Sequence, residues 1–212
     1  MPLPFPPLYA ILDVAAVNSE VRIPEVLAEN GVGLIQVRDK HTSPRTVFEA
    51  SKGLVDRLST KDVRVIVNDR PDIAAMAGAG GVHVGQDDLP IEAARACRGG
   101  GLWVGVSTHN LEQFQQATTT SADYIAVGPI FPTATKENPD PVVGLDLIRA
   151  ARRLTRKPLV AIGGITVQSA ESVYRAGADS IAVVSDLLLA PKPALRAAEY
   201  IAIASRVIAQ RD

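Results

Sequence analysis

Short apolar segments rich in Val, Ile and Leu alternate with helical segments along the whole 212-residue chain. Near-continuous apolar runs are typical of strands that are covered on both faces of a sheet. Strict alternation of strand and helix predicts right-handed crossovers and a parallel sheet. The eight predicted strands are residues 8–13, 34–39, 63–69, 81–86, 102–108, 124–130, 158–164 and 180–185.

The number of repeating units favours a closed barrel. Eight strand–helix units predict a (β/α)8 TIM barrel, although the usual length of about 250 residues makes this chain a compact example. A doubly wound open sheet is the alternative, and six strands would suit it better than eight. The segments GAGGVHV and RAGADSIAV favour the barrel, because Gly ends a helix and turns the chain tightly into the next strand. No linker divides the chain, so residues 1–212 are predicted to form a single domain.

The composition excludes several classes of protein. The chain is 47% hydrophobic and carries 22 Lys and Arg against 23 Asp and Glu. This balance argues against intrinsic disorder and against nonspecific binding to nucleic acid or a membrane surface. The single cysteine, Cys97, excludes an intramolecular disulfide and fits a reducing compartment. With no signal-peptide pattern and no uninterrupted apolar span, we expect a soluble cytoplasmic protein; the sequence leaves a homo-oligomer open.

Polar residues concentrate at the carboxyl ends of the predicted strands. In a parallel barrel these ends form the rim that carries the active site. The sequence therefore predicts one functional site at this rim. The residues concerned are Gln36, Arg38, Asp39, Lys40, Asn68, Asp69, Arg70, His83, Gln86, Asp87, Asp88, Ser107, Thr108, His109, Asn110, Thr133, Thr135, Lys136 and Ser185.

Two carboxylates at this rim predict a magnesium site. Asp69 and Asp88 follow adjacent strands, and Arg38, Lys40 and Lys136 converge from strands two and six. Mg²⁺ typically takes one or two protein carboxylates and completes its shell with water and substrate phosphates. The alternative is that these carboxylates form ion pairs that hold the rim together.

A second anion site is predicted after strands seven and eight. Gly163-Gly164 lets the backbone approach a ligand, and Ser185 opens a short extra helix. Loops in these positions of a barrel commonly bind phosphate. The long loop 131–144 contributes the hydroxyls of Thr133 and Thr135 and is predicted to be a mobile active-site loop. Two anion sites, one with a metal, predict two phosphorylated substrates.

For several other rim residues, the sequence leaves two interpretations open. Asp39 and Asp87 are as readily helix caps or ion-pair partners as ligands. His83 lies within a strand and is either a buried, hydrogen-bonded side chain or a candidate contact to the substrate. His109 is either a helix-start residue or a proton carrier. His41 is predicted to be solvated.

Seven motifs together resemble the thiamine-phosphate synthase family in order and spacing. They cover residues 8 to about 190, essentially the whole chain. QVRDK, NDR, HVGQDDLP and GPIFPTATK are specific as a group, whereas a single GGI or VSTH is weak. The motifs are QVRDK (36–40), VNDRPDIA (67–74), GVHVGQDDLP (81–90), GVSTHN (105–110), VGPIFPTATK (127–136), VAIGGI (160–165) and AVVSDLL (182–188).

The resemblance implies a TIM-barrel transferase of thiamine biosynthesis. Such an enzyme joins hydroxymethylpyrimidine diphosphate to hydroxyethylthiazole phosphate and releases pyrophosphate and thiamine monophosphate. It implies one Mg²⁺ on Asp69 and Asp88, catalytic roles for Arg38, Lys40, Ser107 and Lys136, and a candidate pyrimidine contact at His83. The implied substrate-binding residues are Gln36, Val37, Arg38, Asp39, Lys40, Asn68, Ser107, Thr133, Ala134, Thr135, Lys136, Gly164, Val184 and Ser185.

Three other functions are alternatives to this one. A thiazole tautomerase on the same barrel would need an acid–base His and no diphosphate cluster. A catalytically inactive sensor of thiamine precursors would have lost a metal carboxylate or Lys136, and both are present. A phosphosugar isomerase would need an acid–base pair between the two anion sites. We expect a dissociative substitution, in which the rim cations stabilise the departing pyrophosphate.

Overall fold

The computed structural model describes residues 5–19, 22–97, 99, 101–133 and 140–210. Eight parallel strands close into a barrel in the order β1 to β8, and each strand pairs with the next in the chain. The predicted TIM barrel is therefore confirmed, and the open-sheet alternative is excluded. The strands are Leu8–Leu12, Leu34–Val37, Arg64–Asn68, Gly81–Val84, Trp103–Thr108, Tyr124–Val127, Leu159–Ile162 and Ser180–Val183.

Helices surround the barrel and connect successive strands. Within the described residues they are α1 Val14–Val17, α2 Ile23–Glu29, α3 Pro44–Leu58, α4 Pro71–Ala77, α5 Ile91–Ala96, α6 Leu111–Thr118, α7 Gly144–Leu154, α8 Val167–Ala176, α9 Ser185–Leu188 and α10 Pro193–Ile208. The helix α9 is the short extra helix predicted after strand eight. No helix in this part of the chain has the length and apolar character needed to cross a lipid bilayer.

Alternation along the strands separates two buried layers. In β3, Val65 and Val67 belong to the layer between the barrel and the helices, whereas Ile66 faces the barrel interior. Successive strand residues point to opposite faces, so both sets are buried when helices cover the outside and the barrel encloses the inside. This explains why the strands read as continuous apolar runs.

Aromatic packing closes the amino end of the barrel. The rings of Phe5 and Trp103 stack with centroids 5.8 Å apart, and the guanidinium of Arg64 lies 3.8 Å from the Trp103 ring centroid. Phe5 also packs against Tyr124, with centroids 5.3 Å apart. The barrel interior is therefore filled from below, and its cavity lies towards the carboxyl ends of the strands.

Candidate active site

A cavity of about 690 Å³ lies at the carboxyl rim of the barrel. It brings together residues from the predicted diphosphate site and from the predicted monophosphate site. The predicted residues that line it are Gln36, Arg38, Lys40, Asn68, Asp69, His83, Gln86, Asp87, Asp88, Ser107, His109, Thr133, Gly163, Gly164, Val184 and Ser185.

Asp69, Asp88 and Lys40 form a charged cluster on one wall of this cavity. Lys40 Nζ lies 3.2 Å from Asp69 Oδ2, and the Gly85 backbone N–H donates to Asp88 Oδ2 at 2.7 Å. Burial raises the pKa of Asp88, and the facing Asp69 carboxylate raises it further, whereas Lys40 and the Gly85 N–H act in the opposite direction. The two carboxylates are therefore close enough to repel each other, which is the electrostatic setting that a divalent cation relieves.

The backbone at Asp69 adopts a conformation that is uncommon for its residue type. Its φ is +59°, in the left-handed region, and its N–H donates to the His83 carbonyl at 2.8 Å. A residue with a side chain is held there only when its surroundings determine the conformation, and such residues cluster at functional sites. The turn directs the carboxylate into the cavity immediately after β3 ends.

The donor set fits Mg²⁺ better than a transition metal. Within the described ranges, no group of three or more His, Cys, Asp or Glu side chains is arranged to hold a metal ion. A tetrahedral zinc site needs three or four such ligands, whereas Mg²⁺ accepts two carboxylates together with water and phosphate oxygens. Asp69 and Asp88 therefore meet the requirement for Mg²⁺ with a phosphorylated ligand.

Two residues of the predicted substrate site lie away from the cavity. The Asp39 carboxylate accepts hydrogen bonds from the N–H groups of His41 (2.9 Å), Thr42 (3.0 Å) and Val14 (3.4 Å). Burial raises its pKa, but these hydrogen bonds outweigh burial and leave the pKa below its usual value. Asp39 thus shapes the turn after β2, as the cap interpretation expects. The Val37 side chain is buried in the layer between barrel and helices.

His83 is buried inside the barrel and hydrogen-bonded through both ring nitrogens. Nδ1 lies 3.0 Å from the Tyr124 hydroxyl, and Nε2 lies 2.8 Å from Ser107 Oγ. Burial lowers the pKa of His83 to about 4, against a smaller opposing effect of Asp88. The ring is therefore neutral near pH 7, which agrees with the interpretation of His83 as a buried, hydrogen-bonded side chain.

The neutral state of His83 predicts a pH-dependent stability. A histidine in the unfolded chain titrates near 6.5, so between about pH 6.5 and 4 the unfolded chain binds the extra proton. The free energy of unfolding should fall as the pH is lowered through this window, by about 2 kcal/mol at pH 5. The free energy of unfolding is measured by urea denaturation near pH 7.5 and at about pH 5. Its decrease between these pH values should be smaller in His83→Gln than in the wild type. Equal losses in the two proteins would disprove this assignment.

The predicted monophosphate site is built from loops that contact each other. Gly163 and Gly164 have φ of +97° and +63°. A Cβ at Gly164 would lie 2.3 Å from the Pro132 carbonyl oxygen, so the loop after β7 passes directly against the loop after β6. The Phe131 N–H donates to the Gly163 carbonyl at 3.0 Å and joins the same two loops. Glycine is needed at position 164 for both space and backbone conformation.

A partly buried ionic group supports this site. The Asp186 carboxylate accepts from the Val167 N–H (3.2 Å), from Arg196 (2.8 Å) and from the Tyr200 hydroxyl (2.8 Å). These bonds connect α9 to the start of α8 and to α10. Asp186 lines the cavity next to Ser185, so its charge needs the compensation that Arg196 provides.

The loop after β6 is described only at its two ends. Pro132, Thr133 and Asp140 line the cavity, and Asp140 Oδ2 lies 3.6 Å from His109 Nδ1. His109 Nδ1 also donates to the Gly128 carbonyl at 2.8 Å. His109 directly precedes Asn110, the N-cap of α6, and its N–H donates to Gln113 Oε1 at 2.7 Å, as the interpretation of a helix-start residue expects. The predicted residues Ala134, Thr135 and Lys136 lie outside the described residues.

Several residues in or below the cavity have no role predicted from the sequence, among them Tyr9, Thr166 and Asp186, which line it, and Tyr124, which contacts His83. Two of them could have been found from strand alternation. Tyr9 shares the inward face of β1 with Ile11, and Tyr124 shares that of β6 with Ala126. Tyr124 begins its strand, a position that is typical of packing residues, but its long side chain carries the hydroxyl up to His83.

Comparisons with known proteins agree in fold and in family. A family model described as thiamine monophosphate synthase matches residues 8–187. The thiamine-phosphate synthase of Koribacter versatilis is 48% identical over 207 residues, which cover 95% of this chain and 97% of that protein. The one from Chloroflexus aurantiacus is 44% identical over 185 residues, covering 86% and 85%. A solved thiamine phosphate pyrophosphorylase from Pyrococcus furiosus superposes with a TM-score of 0.85 at 32% identity, covering 96% and 97% of the two chains.

Proposed function

The chain belongs to the thiamine monophosphate synthase family, and from this premise we propose that it joins hydroxymethylpyrimidine diphosphate to hydroxyethylthiazole phosphate. The products are thiamine monophosphate and pyrophosphate. The observation that supports this proposal best is one cavity with the Asp69–Asp88–Lys40 cluster on one wall and the Gly163-Gly164 loop with Ser185 on another. One wall suits a metal-bound diphosphate, and the other suits a monophosphate.

The cationic side chains have a direct role in the proposed reaction. Lys40 and Arg38 line the cavity beside the carboxylates, where they would neutralise the charge that develops on the departing pyrophosphate. Charges and dipoles held in place before the reaction stabilise a transition state more effectively than water that must reorganise. Lys136 is proposed to join them from the loop after β6.

Asp69 and Asp88 would hold Mg²⁺ in this site. The ion would supply Lewis-acid stabilisation of the phosphate oxygens when the diphosphate is bound. The chain's own contribution is the orientation of the two carboxylates, which the left-handed turn at Asp69 and the Gly85 N–H bond to Asp88 determine.

The bond-forming step needs no protein nucleophile in this proposal. The electron-rich aminopyrimidine supports a methylene cation as the pyrophosphate leaves, and the thiazole nitrogen then attacks it. His83 is neutral and engaged through both ring nitrogens, so it is poorly suited to act as the acid–base group that a tautomerase needs. This argues for substitution rather than proton transfer.

A paired assay tests the proposed function. The protein is incubated with both substrates and Mg²⁺, and pyrophosphate and thiamine monophosphate are measured with and without a chelator. We expect both products in equal amounts, and none with either substrate alone. Release of no pyrophosphate by the folded protein would refute the proposal, and conversion of the thiazole alone would favour the tautomerase.

The affinity for the thiazole phosphate should depend on the ion pair in which Arg196 neutralises the Asp186 carboxylate. Arg196→Gln leaves the Asp186 carboxylate without its cation at the monophosphate wall, where it repels the ligand. We expect the Kd measured by titration calorimetry to rise roughly tenfold, the equivalent of about 1.4 kcal/mol. The double variant Asp186→Asn/Arg196→Gln should recover most of the affinity, because it removes the charge as well.

A control on the same helix separates charge from packing. Arg206 pairs with the exposed Glu171 through a 2.6 Å contact away from the cavity. Arg206→Gln should bind the thiazole phosphate as the wild type does. If the double variant binds as poorly as Arg196→Gln, lost packing rather than an uncompensated charge explains the effect.

A further inference from the structure

A chain of hydrogen bonds joins Gln36 to Ser107 through the interior of the barrel. Gln36 Nε2 donates to the Tyr9 hydroxyl at 2.6 Å, and the hydroxyls of Tyr9 and Tyr124 lie 3.0 Å apart. The Tyr124 hydroxyl also lies 3.0 Å from His83 Nδ1, and His83 Nε2 lies 2.8 Å from Ser107 Oγ. All of these residues except Ser107 are buried, and Gln36 and Ser107 line the cavity.

The side-chain amide of Gln36 determines which atom donates in each of these hydrogen bonds. The amide nitrogen of Gln36 can only donate, so the Tyr9 oxygen accepts and its hydrogen is directed to Tyr124. Tyr124 then directs its own hydrogen to His83 Nδ1. A neutral imidazole that accepts at Nδ1 carries its hydrogen at Nε2, which donates to Ser107. The Ser107 oxygen therefore accepts from the protein and keeps its hydrogen for a ligand.

Burial keeps the intermediate members of the chain uncharged. It raises the pKa of Tyr9 and of Tyr124 above that of a free tyrosine. The imidazole of His83 is uncharged in this arrangement, because its Nδ1 accepts the Tyr124 hydrogen. Near pH 7 each side chain thus has a single hydrogen to place in the chain. The stacked rings of His83 and Tyr124, with centroids 5.5 Å apart, restrict rotation of the imidazole.

We propose that Tyr9, Tyr124 and His83 are positioning residues that make the Ser107 hydroxyl a hydrogen-bond donor towards the departing pyrophosphate. In the reverse arrangement Ser107 would donate to His83 and present only lone pairs to an anion. A donor directed at a developing oxyanion forms a charge-assisted hydrogen bond and stabilises the transition state. This inference rests on the function proposed above, because it needs an anionic leaving group.

The tautomer of His83 tests the direction without any turnover. In ¹⁵N-labelled wild-type protein without substrate, the two ring nitrogens differ in chemical shift according to which one carries the hydrogen. His83→Gln identifies the His83 signals among those of the three histidines. We expect hydrogen on Nε2 and none on Nδ1. Hydrogen on Nδ1 would reverse the chain and overturn the proposal.

Removing one hydrogen bond from this series tests its effect on catalysis. Tyr124→Phe removes the hydroxyl that donates to His83 Nδ1. The imidazole can then adopt the other tautomer, in which Ser107 donates its hydrogen to Nε2. We expect kcat to fall roughly tenfold, the value of one lost hydrogen bond, with the KM for the thiazole phosphate unchanged. Tyr174→Phe, which loses a hydroxyl bonded to the Pro7 carbonyl at the opposite end of the barrel, should keep the wild-type kcat.

The outcomes separate this inference from the proposed function. An active wild-type enzyme with His83 protonated at Nδ1, or a folded Tyr124→Phe with unchanged kcat, would overturn the inference alone. A wild-type chain that releases no pyrophosphate would overturn the proposed function and with it the role of the donor. If Tyr124→Phe does not fold, the tautomer in the wild-type protein decides.

Discussion

Asp69→Asn should abolish most of the turnover while leaving the protein as stable as the wild type. The substitution removes one of the two carboxylates proposed to hold Mg²⁺, whose stabilisation of the leaving group is worth several kcal/mol, so pyrophosphate release should fall roughly 100-fold or more. Asn tolerates the left-handed backbone that position 69 requires, with φ of +59°. The substitution also relieves the repulsion between Asp69 and Asp88. We therefore expect an unchanged or higher melting temperature.

Two comparisons make this result specific. Asp69→Ala should lose the same activity and also stability of about 1 kcal/mol or more, because Ala is strained in the left-handed region. Asp72→Asn is the matched control, since the Asp72 carboxylate is exposed and pairs with Arg70 outside the cavity. It should retain wild-type rates. Near-normal pyrophosphate release by Asp69→Asn in Mg²⁺ would remove the basis of the metal assignment.

The barrel could be predicted because the pattern of an apolar strand followed by a helix occurs eight times in the sequence. Each strand is a run of residues buried on both faces, and each run is followed by a helix. Seven of the eight strands end one to three residues before their predicted ends. At the carboxyl rim, polar residues that were expected within the strands leave the sheet: Asp69 turns at positive φ into the cavity, whereas the Asp39 carboxylate accepts hydrogen bonds from the turn that follows β2.

The charged wall of the site could also be predicted, because parallel strands bring their carboxyl ends together. Asp69 and Asp88 therefore meet although 19 positions separate them. The residues behind the site could not be predicted in the same way. The compensation of Asp186 by Arg196 depends on how α9 and α10 pack. The contact between Tyr9 and Tyr124 spans 115 positions and depends on the depth to which each side chain reaches inside the barrel.

Space for the Tyr124 ring depends on the absence of a side chain at Gly105. The two residues are direct neighbours in the register of β5 and β6. A Cβ at position 105 would lie 2.0 Å from Cζ of Tyr124 and 2.4 Å from its hydroxyl oxygen. The ring cannot simply withdraw, because Tyr9 and His83 hold the hydroxyl and Phe5 packs against the ring.

Gly105→Ala should therefore be strongly destabilising, although it adds only one methyl group. Overpacking a core typically costs 1–3 kcal/mol, and we expect about 3 kcal/mol here, which lowers the melting temperature of a chain of this length by roughly 6–12 °C. Gly53→Ala in α3 is the matched control, because its nearest contact is the flexible end of Arg57 at 3.4 Å. It should stabilise the protein by about 0.5–1 kcal/mol through helix propensity. A loss below about 1 kcal/mol in Gly105→Ala would mean that the Tyr124 ring can move aside. The hydrogen-bond chain through Tyr124 would then be too loosely held to fix the tautomer of His83.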